Sequence, residues 1–581
     1  MVTPRFGAWI DDRGAHFRLW APSSSRAALL LDGRDPVSLT RDARGIFAAD
    51  LDALARGTRY RYRLDKGEAI PDPASSWQPD GVHGASALDD ARAFAWGAAP
   101  VPLDPRDLII YELHTGTFTP EGTFDAARDR LPYLRELGVT AIELMPVAEF
   151  AGTRNWGYDG VALFAPSHAY GGPDALRRLV DDAHAHGLGV ILDVVYNHVG
   201  PDGSYLHAAS PEFFAADEAS PWGAAVNIGH PVVRDWLVAN ALQWARDYRI
   251  DGFRLDATHA LPRAHTAAFM RTLADTTRAE SGRPLLFIAE DSRRMPSIFR
   301  RERDEDWGLD GVWADDFHHH VRVMTAGDSH GYFAAFSGRS EDLAQTMTHG
   351  WSLESPSQTD APAVLAPFVV CIQNHDQVGN RALGDRLHHT VGLDTWRAAS
   401  ALLLLAAATP LLFMGQEWAA SSPFQYFTDH AGDLGRLVSQ GRRREFRDFP
   451  AFRDGAAVPD PQDEATFAVS RLRWDERETP PHAGVLNLYR TLVALRRSEQ
   501  LLQPLVFAMD THTVCVRYER IALVARLEGG GRVPRDGWLD AAWRAMLTTE
   551  DAPFTVDGAP PSIAPDAIDF PGPAAIVFRR G

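Results

Sequence analysis

Eight short apolar segments recur between residues 108 and 415, most of them separated by stretches of helical period, and this alternation constrains the chain more than any other feature. They are LIIYELH (108–114), AIELMPV (141–147), GVILDVVYNH (189–198), GFRLD (252–256), LLFIAED (285–291), GVWADD (311–316), FVVCIQNHD (368–376) and PLLFMG (410–415). Helical period appears in AARDRLPYLREL (126–137) and in PDALRRLVDDAHAHG (173–187), which ends in the glycine common past a helix. Strands that are apolar on both faces and alternate with helices fit a closed, parallel (β/α)8 barrel better than an open sheet. The predicted fold is therefore multidomain, with an N-terminal β-sandwich over 1–97 and a (β/α)8 TIM barrel over 98–500. A C-terminal β-sandwich over 501–581 completes it. The barrel is expected to carry a long loop excursion at about 199–230.

The flanking regions read differently. AHFRLWAP, AALLLDG, GIFAADL and RYRYRLD are short β-runs divided by Gly, Asp and Pro turns. PDPASSWQPDGVHGAS (71–86) has no periodicity and reads as an irregular connection packed between domains. Short β-runs return in TVCVRYERIALVARLEG and AAIVFRRG. The longest apolar run, ALLLLAAATPLLFM (401–414), is too short for a bilayer and is interrupted by Pro410, so it reads as a buried helix followed by a buried strand. MVTPRFGAWIDD lacks the basic and apolar stretches of a secretory signal. The expected location is the cytoplasm, with no membrane partner.

Composition removes several chemistries. The net charge of −19 opposes binding to a phosphate backbone, so no nucleic acid partner is expected. Lys66, in RLDKGEA, is the single lysine, and its context fits neither a Walker loop nor a Schiff base. Cys371 and Cys515 lie far apart in apolar surroundings and suggest neither a disulfide framework nor a zinc site.

Most informative is how the apolar segments end. The third ends in Asp193, Asn197 and His198, the fourth in Arg254 and Asp256, and the fifth in Glu290 and Asp291. The sixth ends in Asp315 and Asp316, and the seventh in Asn374, His375 and Asp376. In a barrel these ends meet at one mouth, where active sites of the fold sit. Carboxylates from several strands suggest glycoside hydrolysis, in which one ionised carboxylate attacks and one protonated carboxyl assists departure. Asp256, beside Arg254, is the expected ionised member, since a neighbouring cation favours the charged form. Glu290, facing that charge in a partly dry cleft, is the expected acid. Asp376 would bind sugar hydroxyls.

DVVYNH, GFRLDATHA, FIAED and QNHDQ, in this order, resemble the four short regions of the α-amylase family of glycoside hydrolases. The resemblance implies that Asp256 is the nucleophile, Glu290 the acid/base and Asp376 the transition-state stabiliser, with retention through a glycosyl-enzyme. It also implies that Tyr158 in NWGYDG, His198, Arg254 and His375 line the subsite of the attacked sugar. YELHTGTFTPEGTF, DDFHHHVRV, QNHDQVGNRALGDRL, and PFQYFTDH followed by GRRREF resemble the branch of the family that hydrolyses the α-1,4 bond next to the terminal trehalose of maltooligosyl trehalose. That small-molecule substrate is the implied partner. Two positions depart from the branch pattern: Thr258, where valine is usual, and Gln416, where glutamate is usual. A branching or debranching enzyme and a non-catalytic carbohydrate-binding relative are the rival readings.

Further sugar contacts are expected at Trp222, Thr258, His259, Asp315, Asp316, His318, His319, Gln377 and Asn380. The run His318–His320 could suggest a metal, but consecutive residues on a strand end point in opposite directions and suit one ion poorly. No metal and no cofactor are expected. Asn197 matches a calcium position of many amylases, with a hydrogen-bonding loop anchor as the favoured reading. The N-terminal sandwich resembles a starch-binding module, a type of domain that can also simply brace a barrel.

Overall fold

The structure is a computed structural model that describes residues 2–220, 223–352, 365, 367–446 and 458–581, with only the backbone described for 216–220. Trp222 lies outside the described residues. Eight parallel strands close into a barrel: β1 (Ile110–Leu113), β2 (Ala141–Leu144), β3 (Gly189–Val194), β4 (Gly252–Leu255), β5 (Leu286–Glu290), β6 (Gly311–Trp313), β7 (Phe368–Val370) and β8 (Thr409–Phe413). All eight expected segments supply a strand. Each strand is shorter than its apolar run, so the polar residues at the run ends lie at or just past the strand ends.

Period two explains how one strand serves both core and site. Ile110, Ala141, Ile191, Ile288 and Trp313 point inward and pack together in the barrel interior. Two residues further along each of those segments, on the same face, come Glu112, Glu143, Asp193, Glu290 and Asp315. On β4 the inward positions are Gly252 and Arg254, followed by Asp256. A Cβ at Gly252 would meet the Leu286 Cβ at 3.0 Å, tight packing below the charged layer. The alternate face carries Tyr111, Ile142, Leu192, Phe253 and Phe287, which join the large core beneath the helices.

The helices follow the sequence closely, with one split. The expected helix over 126–137 forms two pieces, Phe124–Arg128 and Leu131–Leu137. Pro132 sits in the first turn of the second piece, where its missing N–H has no intrahelical partner to lose. Gly172–Ala185 realises the second expected helix. The 401–414 run belongs to helix Leu393–Leu404 followed by β8.

At the N-terminal end, a sheet of Gly7–Asp11, Gly14–Trp20, Ile46–Leu51 and Thr40–Arg41 faces a second sheet built on Ala27–Leu31 and Arg59–Leu64. RYRYRL alternates strictly, turning Tyr60 and Tyr62 into the core shared with Phe17, Leu29 and Phe47. At the C-terminal end, Leu505–Asp510, Thr513–Arg517, Ile521–Arg526, Ala574–Arg580 and Trp543–Thr548 form one sheet. Gly531–Pro534, Ala567–Phe570 and Ser562–Ile563 form another. IALVAR is buried along its whole length because Val524 faces the small sheet while Leu523 and Ala525 face the barrel side. Cys371 and Cys515 are buried free thiols in separate cores.

An ion pair, Arg397 with Glu550, is buried where helix Leu393–Leu404 meets the C-terminal sheets; Arg397 Nε lies 3.0 Å from Glu550 Oε1. Removing the cation alone leaves a buried carboxylate uncompensated. R397M is expected to destabilise the fold by about 3–5 kcal/mol in urea unfolding, and R397M/E550L to recover most of that loss. Among the described residues no helix is long and apolar enough to cross a membrane.

Candidate active site

Arg254 organises the barrel mouth. Its side chain is fully buried, and its guanidinium lies 4.3 Å over the Trp313 ring. Nη1 donates to Asp193 Oδ2 at 2.8 Å and to Asp256 Oδ1 at 2.7 Å, while Nη2 lies 2.9 Å from Glu290 Oε2. The sequence reading paired Arg254 with Asp256 alone; the structure corrects this to three carboxyl groups from three neighbouring strands around one cation. One positive charge cannot offset three buried negative ones, so protons must remain in the cluster.

The carboxyls divide accordingly. Burial above all, and then the negative charges of Asp256 and Asp376, push Glu290 up to about 8 despite the pull of Arg254. Burial likewise pushes Asp193 up to about 6, against Arg254. Asp256 accepts from Arg254 and from Asn197 Nδ2 at 2.7 Å, donors that suit an ionised carboxylate. Asp315 is pushed up to about 7 by burial and by Asp376 and Asp316. Around pH 7 the arrangement supplies one carboxylate able to attack and one carboxylic acid able to donate.

Backbone strain aligns the two. Ala257, directly after Asp256, has φ of 39°, a left-handed conformation uncommon outside glycine. The kink aims its N–H at Glu290 Oε2, 2.7 Å away. Thr258, buried, places its hydroxyl 2.7 Å from the Glu290 carbonyl oxygen and 2.8 Å from Asp291 Oδ2. Asp291 is also held by Arg293. Thr258 thus ties the Asp256 segment to the Glu290 segment from behind, and the expectation that it touches sugar is corrected.

Tyr158 closes another side. Its hydroxyl donates to Asp193 Oδ2 at 2.6 Å and lies 2.8 Å from His375 Nε2, with the two rings stacked. His198 meets the Tyr158 carbonyl through Nε2 at 2.9 Å and Asn197 through Nδ1. Asn197 therefore anchors Asp256 with its amide nitrogen and faces the His198 ring with its oxygen, which does not fit a calcium ligand. Among the described residues no group of three or more His, Cys, Asp or Glu could hold a metal.

Asn374 caps the short helix His375–Gly379 by accepting from the Gln377 N–H at 2.8 Å, so His375 and Asp376 open a helix at the mouth. Asp376 Oδ1 lies 3.4 Å from His375 Nε2 and accepts from exposed Asn380 at 3.1 Å. Gln377 accepts from the Tyr332 hydroxyl at 3.2 Å.

The histidine run is corrected in its placement. His318, His319 and His320 lie in helix Asp316–Ala326, not on a strand end, because β6 stops after three residues. His318 is buried with Nδ1 on the Ile372 carbonyl at 2.8 Å, and His319 packs among Tyr332, Phe333 and Phe336. Burial lowers His319 to about 4. Asp316 binds Arg294 at 2.9 Å and the Ser352 N–H at 2.6 Å, which makes it a brace for the rim. His259 is half-buried beside Thr258. Gln416 is fully buried and donates to the Tyr489 hydroxyl at 3.1 Å, away from the cleft, so its departure from the usual glutamate leaves the mouth untouched.

Sequence reasoning passed over Glu112, Glu143 and Trp313. A signal existed: YELH and AIEL each place one glutamate within an otherwise apolar strand, and the register pairs Glu112 with Glu143.

Comparison with known proteins agrees with this geometry. The family described as Alpha amylase, catalytic domain, matches residues 91–222. A malto-oligosyltrehalose trehalohydrolase from Deinococcus radiodurans is 46% identical over 503 residues, covering 84% of this chain and 82% of that one. Another, from Rhizobium sp. (strain M-11), is 41% identical and covers 97% and 99%. A crystal structure from Salmonella typhimurium, provisionally named an alpha amylase, superposes with a TM-score of 0.88 at 34% identity, each chain covered to 99%. On these likenesses, and with its carboxyl cluster at the mouth of the barrel, the chain belongs to the malto-oligosyltrehalose trehalohydrolase family of α-amylase-type glycoside hydrolases.

Proposed function

We propose that this chain hydrolyses the α-1,4-glucosidic bond adjacent to the terminal trehalose of maltooligosyl trehalose, in two steps with retention. Asp256 attacks the anomeric carbon while Glu290 gives its proton to the departing trehalose oxygen, which leaves a maltooligosyl ester on Asp256. Glu290, now ionised, takes a proton from water, and the resulting attack frees the maltooligosaccharide and restores both carboxyls. Arg254, His375 and Asp376 hold the hydroxyls of the attacked sugar, with Tyr158 beneath it.

The observation that carries this reading is the shared guanidinium: Asp256 and Glu290 sit on the two terminal nitrogens of Arg254. That favours the short separation of a retaining pair, about 5–5.5 Å, over the wider gap of an inverting one. Family membership supports the trehalose-bearing substrate. Chromatography of products from maltotriosyl trehalose and from a plain maltooligosaccharide of similar length tests the substrate. Trehalose and maltotriose released from the first, with little from the second, is the expected result. Equal cleavage of both would make the protein a general amylase, and cleavage of neither would favour branching or binding.

A further inference from the structure

Behind the catalytic carboxyls lies a second acidic layer that the mechanism above does not use. Glu112 on β1 and Glu143 on β2 are register partners, each only 1% exposed, and Asp193 follows on β3. The two glutamates are treated very differently. Glu112 accepts from both nitrogens that His375 offers on that side: the backbone N–H reaches Oε2 at 3.0 Å, and ring Nδ1 lies 2.5 Å from Oε1. Neither oxygen of Glu143 has a hydrogen-bond partner among the described residues. A buried, unpartnered carboxylate is far costlier than a neutral acid, so Glu143 holds its proton.

Hydrogen-bond direction fixes the state of the imidazole between them. Tyr158 has one proton, and at 2.6 Å it is directed to Asp193 Oδ2. The Tyr158 oxygen therefore accepts from His375 Nε2, 2.8 Å away, while Nδ1 donates to Glu112. Both ring nitrogens carry hydrogen. We propose that Glu112 is a positioning residue for glycosidic cleavage: as the ionised member of a Glu112–Glu143 pair, it holds His375 as an imidazolium with a fixed ring plane. A continuous line then runs from Glu112 through His375, Tyr158 and Asp193 to Arg254, which grips Asp256 and Glu290.

The titratable groups that face His375 are Glu112 from β1, the neutral Glu143 from β2, Asp193 from β3, Arg254 from β4, Asp315 after β6 and Asp376 from its own helix. Trp156 and Trp313 pack edge-on and tilted against the ring at 5.6 and 5.9 Å. Burial opposes the imidazolium, yet Asp376 and Glu112 carry His375 up to about 9, with Arg254 acting against them. An imidazolium there, its two N–H groups engaged by Glu112 and Tyr158, adds a fixed positive charge beside Arg254 at the subsite of the attacked sugar, where a neutral ring would add none.

The inference rests on the reading of this mouth as the hydrolytic site, so one measurement is chosen that needs no substrate. In wild-type protein labelled with 15N-histidine, the His375 signal, assigned by its loss in His375→Gln, is expected to show two protonated nitrogens at pH 7.5. A neutral ring at that pH overturns the proposal whether or not the enzyme cleaves trehalose-ended substrates. In Glu112→Gln, His375 is expected to lose its proton at least one pH unit lower than in wild type. In wild type the alkaline limb of kcat/KM is set near pH 8 by Glu290, ahead of His375 at about 9; in the variant His375 should set the limb and move it down, and activity should return toward wild type as pH is lowered to 5. Glu112→Asp should restore part of the wild-type limb, and Glu143→Gln, which replaces a neutral acid by a neutral amide, should keep the limb where it is. An equal loss for Glu112→Gln at every pH, with the limb unmoved, would reduce Glu112 to a packing role and contradict the proposal.

Discussion

Replacing Asp256 with asparagine is expected to lower kcat by on the order of 10⁴-fold or more, the scale seen when one member of a catalytic unit is removed. An amide keeps the shape but has no charge with which to attack, so no glycosyl ester can form. The surroundings make the effect larger than the loss of one group. Asp256 accepts from Arg254 at 2.7 Å and from Asn197 at 2.7 Å, and an asparagine must turn an NH2 toward one of these donors. Arg254 would then be shared between Asp193 and Glu290 alone, which draws Glu290 toward its ionised form and disables the acid as well. Single-turnover measurement with maltotriosyl trehalose should show the loss in the first turnover. A decrease under tenfold would remove Asp256 from the nucleophile role.

Glu290→Gln is expected to lower kcat by about 10²–10⁴-fold on natural substrate, the usual contribution of a positioned general acid. With an activated leaving group, such as fluoride or a nitrophenolate, bond cleavage needs no proton, and the first step should be nearly spared. The pH profile gives a second readout. Glu290, pushed up to about 8 chiefly by burial, is protonated below that pH and ionised above it. Wild-type activity should therefore fall as pH rises through about 8, and the variant, whose amide does not titrate there, should lose that limb and keep only the later fall set by His375 at about 9. An unchanged limb in Glu290→Gln would assign the acid to another group.

The barrel was legible because buried parallel strands read as near-continuous apolar runs, and the site was legible because each run ended in ionisable residues. Asp256, Glu290 and Asp376 could be named on those grounds and on the likeness to four short motifs. Thr258 was misjudged because its direction depends on the positive φ of Ala257, which no residue type at that position announces. His318–His320 were misplaced because a three-residue strand hands over to a helix within ADDF, where the apolar pattern does not change enough to mark the boundary. Glu112 and Glu143 escaped notice for a different reason. Each is one charge in an apolar strand, and their meaning appears only when the barrel closes, bringing β1 and β2 into register and setting His375, 263 residues away in sequence, on the Glu112 carboxylate.

In the proposed reaction Asp256 carries the sugar while Glu290 passes the proton. Mass spectrometry of Glu290→Gln incubated with α-maltotriosyl fluoride tests it most directly, because an activated leaving group allows the first step and the missing base slows the second. A maltotriosyl adduct that accumulates and maps by peptide analysis to Asp256 is the expected result. An adduct on another residue, or rapid release of the β-anomer with no adduct at any time, would contradict it.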